Sequence, residues 1–221
     1  VYSTQPFLKV DNHGRRITNE SSPYDFIVHA AARQADPAWH VIWDSTWRED
    51  VTRFATIGCS TLFLRPGSSH RPMGLDACEA KMESYVEDGY IIKADTLEEL
   101  AEGLMIDVDT FLATVEQYNS FYATGKDTQF GKDSFRLSSL DTPPYYGMRS
   151  GTSPLCTLDG VLINTSYQAL DAQGEPIEGL YVVGNDAGGY FAGSYPNQAA
   201  GLAAGRGATA GMLCGRIVAS K

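Results

Sequence analysis

Gly179-Leu180-Tyr181-Val182-Val183-Gly184-Asn185-Asp186-Ala187-Gly188-Gly189, followed by Tyr195-Pro196-Asn197-Gln198-Ala199-Ala200-Gly201-Leu202, decides how this chain is read. A short apolar strand runs into a glycine, a glycine-rich loop follows, and an Ala/Gly-rich helix closes the chain. Glycines let backbone approach a flat or anionic group closely, and the free amides of a helix N-terminus supply hydrogen bonds and positive potential. The order strand, loop, helix therefore predicts a cofactor-facing corner.

Around that corner the chain is ordinary for a globular protein. It has 221 residues, 43% hydrophobic and 20% charged, room for one large or two small domains. A formal net charge of -10 argues against nucleic acid or an anionic membrane surface as partner. The run 199–219 is long enough to span a bilayer, but Arg206 and Arg216 interrupt it and its apolar side chains are small, so it predicts a buried helix. Cys59, Cys78, Cys156 and Cys214 are widely spaced, and His13, His29, His40 and His70 lack ligand spacing; neither set predicts a metal or a compact disulfide framework. The chain begins at Val1 without a signal-like segment and reads as starting inside a larger protein. Its compartment stays open: cytoplasmic is favoured over secreted or membrane-associated.

Upstream, Asp11-Asn12-His13-Gly14 between Phe7–Val10 and Arg16–Thr18 predicts a β-hairpin. Ser22 as N-cap and Pro23 in the first turn predict a helix to about Arg33. Val41-Ile42-Trp43 predicts a strand, 51–72 carries no clear signal, and 76–86 predicts a helix. Thr96-Leu97-Glu98-Glu99 is a capping box opening a helix to Leu104. Asp107 caps a second helix bearing Val108, Phe111, Leu112, Val115 and Tyr118, with Gly125 as its stop. Trp39, Trp43 and Trp47 are expected to pack in a core. Near Asp141-Thr142-Pro143-Pro144 the composition shifts to short strands with Gly turns, among them Tyr145–Met148, Val161–Ile163 and Leu180–Val183. The expected domains are 1–145 and 146–221.

These segments resemble flavoproteins of the fumarate reductase and 3-ketosteroid dehydrogenase superfamily. The C-terminal pieces that carry the resemblance are 179–185 and the Tyr195-Pro196 loop. The N-terminal pieces are 10–20, 95–101, Val115-Glu116-Gln117-Tyr118-Asn119 and Gly125-Lys126-Asp127. The resemblance implies an α+β capping domain followed by the C-terminal strands and closing helix of an α/β FAD-binding domain. That FAD domain would be split by the cap, with its GxGxxG half upstream; no GxGxxG follows a strand here. The cofactor implied is FAD, which this chain alone would bind weakly or not at all. The partners implied are a small-molecule substrate and, as a candidate, an electron-donor protein; oligomeric state is not indicated.

The resemblance also assigns roles. Tyr24, after Asn19-Glu20, stands where family fumarate reductases carry an arginine proton donor and steroid dehydrogenases a tyrosine acid/base. A phenolate there would be favoured by the helix dipole. Tyr195 stands where the former carry a dicarboxylate-binding arginine; with the amide of Ala199 it would hold a carbonyl oxygen. Packing residues would occupy both positions equally naturally. The family's dicarboxylate histidine is replaced by the uncharged segment Leu155-Cys156-Thr157. Three neutral positions disfavour fumarate, because unpaired buried carboxylates carry a large desolvation cost. A neutral enone or ketosteroid-like substrate is expected. The alternatives are an unsaturated acid bound by Arg149 or Arg71, and a non-catalytic cap or binding module. Asn185 and Asp186 would contact the ribityl chain, and the amides of Ala200, Gly201 and Leu202 the flavin's pyrimidine edge.

Overall fold

Seven residues in a row, Ala38–Asp44, are buried and form the central strand β2. A strand buried on both faces must be covered on both, which accounts for its near-continuous apolar sequence. In the computed structural model, which describes residues 2–56, 74–152, 159–191, 195, 199 and 201–220, β2 belongs to the first of two units, Val1–Thr152 and Ser153–Lys221.

The first unit is built on an antiparallel sheet ordered β1-β2-β4-β3, with β1 at Leu8–Val10, β3 at Ile92–Ala94 and β4 at Tyr145–Gly151. Alternation along β2 sends Trp39, Val41 and Trp43 to one face and Ile42 to the other. The first face packs on Ile27 and Ala31 of α1 (Tyr24–Ala32), on Trp47, Val51 and Phe54 of α2 (Trp47–Phe54), and on Cys78 and Met82 of α3 (Leu75–Glu87). The second packs on Leu100 and Leu104 of α4 (Leu97–Leu104) and on Phe111, Val115 and Tyr118 of α5 (Val108–Thr124). All three tryptophans lie in the first core, and the ring of Trp43 is stacked between Tyr2 and Tyr146 at 5.1 and 5.9 Å.

The local signals of α4 and α5 are realised. Thr96 and Glu99 form a capping box, Asp107 caps Thr110, and Gly125 ends α5 in the left-handed region at φ 65°. Elsewhere boundaries move. Helix α1 starts at Tyr24, with Pro23 at the N-cap in extended conformation and no side-chain cap. The return arm of the predicted hairpin is a single bridge, Val10 to Arg16. Asp11 Oδ1 accepts the amides of His13 and Arg15, tightening the turn, and the Arg16 side chain is drawn inward to buried carboxylates. Helix α2 occupies part of the stretch that carried no clear sequence signal. The first unit continues past 145 through β4 to Thr152, because β4 pairs with β2 in register from Asp44↔Tyr145 to Ala38↔Gly151.

The second unit contains an antiparallel hairpin of β5 (Gln168–Leu170) and β6 (Pro176–Tyr181), a 3-10 turn at Gly184–Asp186, and α6 (Leu202–Ala219). The predicted strand at 161–163 is reduced to isolated bridges at Val161 and Ile163, and β6 ends before Val182 and Val183. Val182 still donates to the carbonyl of Tyr167. Among the described residues no helix is long and apolar enough to cross a membrane, and no cluster of His, Cys, Asp and Glu is arranged to hold a metal ion. The architecture is mixed α/β with antiparallel sheets.

Candidate functional site

In the first unit the segment that delivers Tyr24 is tied down by buried charge. Glu20 and Arg16 form a two-pronged pair at 2.7 and 2.8 Å, and Arg16 reaches Asp127 at 2.9 and 2.8 Å. Lys132 lies 3.3 Å from Glu20 and donates to the Pro6 carbonyl and the Tyr118 hydroxyl. Burial alone would raise the pKa of Glu20, but the charges of Lys132, Arg16 and Lys9 hold it below the usual carboxylate range. Burial pulls the Lys9 amine down to about 7, with Glu20 opposing and Lys132 adding to the shift. Asp127 is also held low: burial raises it, but Arg16 and the amides of Lys132, Phe130 and Gln129 outweigh that. The loop after α5 grips the same segment through Asn19 Nδ2 to the Phe130 carbonyl and Arg136 to the Ser21 carbonyl. Tyr24 follows as the first residue of α1, half-buried.

Arg16, Glu20 and Asp127 lie in the motifs that carried the family resemblance, 10–20 and 125–127, so in this structure those motifs form a buried fastening, completed by Lys9 and Lys132 just outside them. Sequence reasoning did not find it. Charged residues within otherwise mixed segments are the only trace, and Arg16 and Asp127 lie more than a hundred positions apart.

In the second unit a groove of about 670 Å³ is lined by Ile163, Asn164, Tyr167, Gly188, Gly189, Tyr190, Leu202, Gly205 and Arg206, among others. Glycines shape one wall. A Cβ on Gly160 would meet the Asp186 carbonyl at 2.2 Å, and one on Gly188 would meet the Gly160 carbonyl at 2.6 Å. The first turn of α6 opens on this groove through Leu202. Gly201 takes φ 83° to start that helix, a conformation L side chains rarely adopt.

Of the predicted contact residues, Asn185 and Asp186 are exposed on the 3-10 turn and do not line the groove. The Leu202 amide donates to the Ala199 carbonyl at 3.2 Å and is thus engaged within the turn. Ala199 is exposed. Tyr195 is half-buried beside Phe191 at 4.9 Å, which in turn meets Tyr190 edge-on at 4.9 Å. Ala200, Arg71 and Cys156 lie outside the described residues. Arg149 is paired with Asp36 at 2.7 Å on the surface of the first unit. The two tyrosines belong to separate units.

The groove fits a flat aromatic group: glycine backbone allows close approach, and Tyr167 and Tyr190 supply ring surface. Comparison with known proteins agrees with that chemistry. Vinyl phenol reductase of Lactiplantibacillus plantarum is 28% identical over 217 residues, 97% of this chain and 43% of the relative. The 3-oxosteroid 1-dehydrogenase of Mycobacterium tuberculosis is 28% identical over 212 residues, 85% of this chain and 34% of the relative. The solved 3-ketosteroid delta1-dehydrogenase of Sterolibacterium denitrificans, in complex with 1,4-androstadiene-3,17-dione, is similar with a TM-score of 0.74 and 26% identity, over 100% of this chain and 40% of that one. The chain thus spans less than half the length of these relatives. Residues 5–202 match the FAD binding domain family, and over that span, most of its length, this chain belongs to that family, whose cofactor is FAD.

Proposed function

We propose that the intact protein is an FAD-dependent oxidoreductase acting on a carbon–carbon bond next to a carbonyl, with a neutral enone or ketosteroid-like small molecule as substrate. The observation that carries this reading is the pair of neutral tyrosines. Tyr24 opens α1 and Tyr195 sits in an aromatic row, so an uncharged hydroxyl stands at each of the two positions. Residues 1–145, which supply nearly all of the first unit, serve as the cap, and 146–221 as the C-terminal part of a split FAD domain. Exposed apolar side chains in the second unit, Val161, Leu162, Leu180 and Met212, suit coverage by the rest of that domain, and the partial span of the relatives supports the same reading.

In this reading bound FAD supplies the two-electron carrier. Asn185 and Asp186 hold its ribityl chain, and the amides of Ala200, Gly201 and Leu202 hold its pyrimidine edge, that of Leu202 by giving up its bond to the Ala199 carbonyl. Tyr24 holds and transfers the substrate proton at its hydroxyl oxygen. Tyr195, with the Ala199 amide, donates to the substrate carbonyl oxygen and stabilises the charge that builds there. Closure of the cap excludes water.

The test uses full-length protein with bound FAD. Flavin reoxidation is expected with neutral enones, and Tyr24→Phe is expected to slow it by roughly 10²–10⁴-fold while leaving the flavin absorption spectrum unchanged. Turnover of acrylate-type acids alone would overturn the substrate assignment, and unchanged turnover in Tyr24→Phe would remove that residue from the chemistry.

A further inference from the structure

Arg206 is the one charged residue between Leu202 and Cys214, a stretch otherwise made of small and apolar side chains. It is half-buried, and among the described residues no carboxylate lies within ion-pair distance of it. An arginine kept without a counter-ion has other partners to satisfy. Here one terminal nitrogen donates to the Gly184 carbonyl at 2.8 Å and the other to the Ala187 carbonyl at 2.9 Å. Those two carbonyls bracket Asn185 and Asp186. The same guanidinium lies 4.4 Å from the centre of the Tyr190 ring and 5.8 Å from that of Phe191, and Phe191 packs on Tyr195.

The other side of the turn is held by backbone. Val161 N donates to the Asp186 carbonyl at 2.8 Å, Gly188 N donates to the Val161 carbonyl at 2.9 Å, and Gly160 is pressed against that Asp186 carbonyl too closely to admit a side chain. The turn is therefore clamped between the 160–161 segment and α6. A clamped turn lowers the ordering cost of whatever it binds.

We propose that Arg206 is a positioning residue: its planar fork fixes the Gly184–Ala187 turn for FAD binding and, through Tyr190 and Phe191, anchors the aromatic row that ends at Tyr195. The proposal rests on the reading of Asn185 and Asp186 as flavin contacts. A lysine cannot replace the fork, since a single ammonium centre does not reach two divergent carbonyls in one plane.

The experiment measures FAD dissociation and amide hydrogen exchange in full-length protein carrying Arg206→Gln, Arg206→Lys or Asn185→Ala. Arg206→Gln is expected to weaken FAD by roughly 10-fold or more, because binding must then order a turn that is no longer clamped. It should also speed exchange across 184–191, lower the apoprotein melting temperature modestly and alter the visible circular dichroism of bound flavin, the last being a change that loss of stability alone would not produce. Arg206→Lys, which keeps the charge and one hydrogen bond, should fall between wild type and Arg206→Gln and serves as the test if the glutamine variant does not fold. Wild-type FAD affinity and exchange in both Arg206 variants, with Asn185→Ala weakening FAD, would overturn the role of Arg206 while leaving the flavin reading intact. If Asn185→Ala leaves FAD affinity unchanged as well, the flavin reading of the turn is overturned and the proposal falls with it.

Discussion

At the scale of single residues, the first unit depends on how it stores charge. Arg16 is almost wholly buried, bonded to two carboxylates and surrounded by the rings of Tyr118, Phe121 and Phe130 at 5.2, 5.8 and 5.1 Å. Such a cluster is costly to assemble, and removing one member costs more than never having built it. Arg16→Met leaves Glu20 and Asp127 in the interior without their shared guanidinium, Glu20 with only the lysines and Asp127 with the backbone amides of Gln129, Phe130 and Lys132 to compensate. The expected loss is about 3–5 kcal/mol in denaturant unfolding; a loss below about 1 kcal/mol would show that water or rearrangement relieves the charges. The residues involved were visible in the sequence as members of family-like motifs, but their purpose was not. An arginine on a hairpin and an aspartate after a helix cannot be paired by inspection when their neighbourhood arises only on folding.

At the scale of elements, the legible parts were those whose instructions are local. The capping box of α4 and the Asp107 cap and Gly125 stop of α5 each need only three or four consecutive residues, and each is present. Thr96→Ala is expected to cost about 1 kcal/mol, read as a fall in melting temperature. Strand β4 shows the other kind of constraint. Gly147 pairs with Ile42 and Ile92, and a Cβ there would lie 2.5 Å from Leu104 Cδ1 and 3.2 Å from Ile42 Cδ1. Gly147→Ala should therefore destabilise by about 1–3 kcal/mol through overpacking, although alanine suits a strand better than glycine. A stabilised variant would mean that α4 shifts outward without loss. No local pattern announced that glycine, because its crowding comes from a helix some forty positions earlier in the chain.

At the scale of the whole molecule, acid should unfold this protein through its buried carboxylates. Glu20 and Asp127 have folded pKa values below their unfolded ones, so they stabilise the fold above about pH 4 and that contribution drains away as pH falls further. Asp50 runs the other way. Burial lifts it to about 6 despite Arg53, so its uptake of a proton between about pH 6 and pH 4 favours the folded state as pH falls. Melting temperature is thus expected to rise modestly from pH 6 to 4 and to drop below that. Asp127→Asn should flatten the drop, and an equally steep profile in that variant would place the acid sensitivity elsewhere. The sequence by itself determined the acidic balance, the capped helices α4 and α5, the central strand and the glycine-rich corner leading to α6, because composition, caps and periodicity act over a few neighbouring residues. Tertiary structure alone decided that β4 belongs to the first unit, that the family-like charges form one buried fastening, and that Arg206, seen in the sequence only as an interruption of an apolar run, bridges two carbonyls and a ring. Each depends on groups distant in the chain, and their mutual desolvation and hydrogen-bond geometry exist only once the chain has folded.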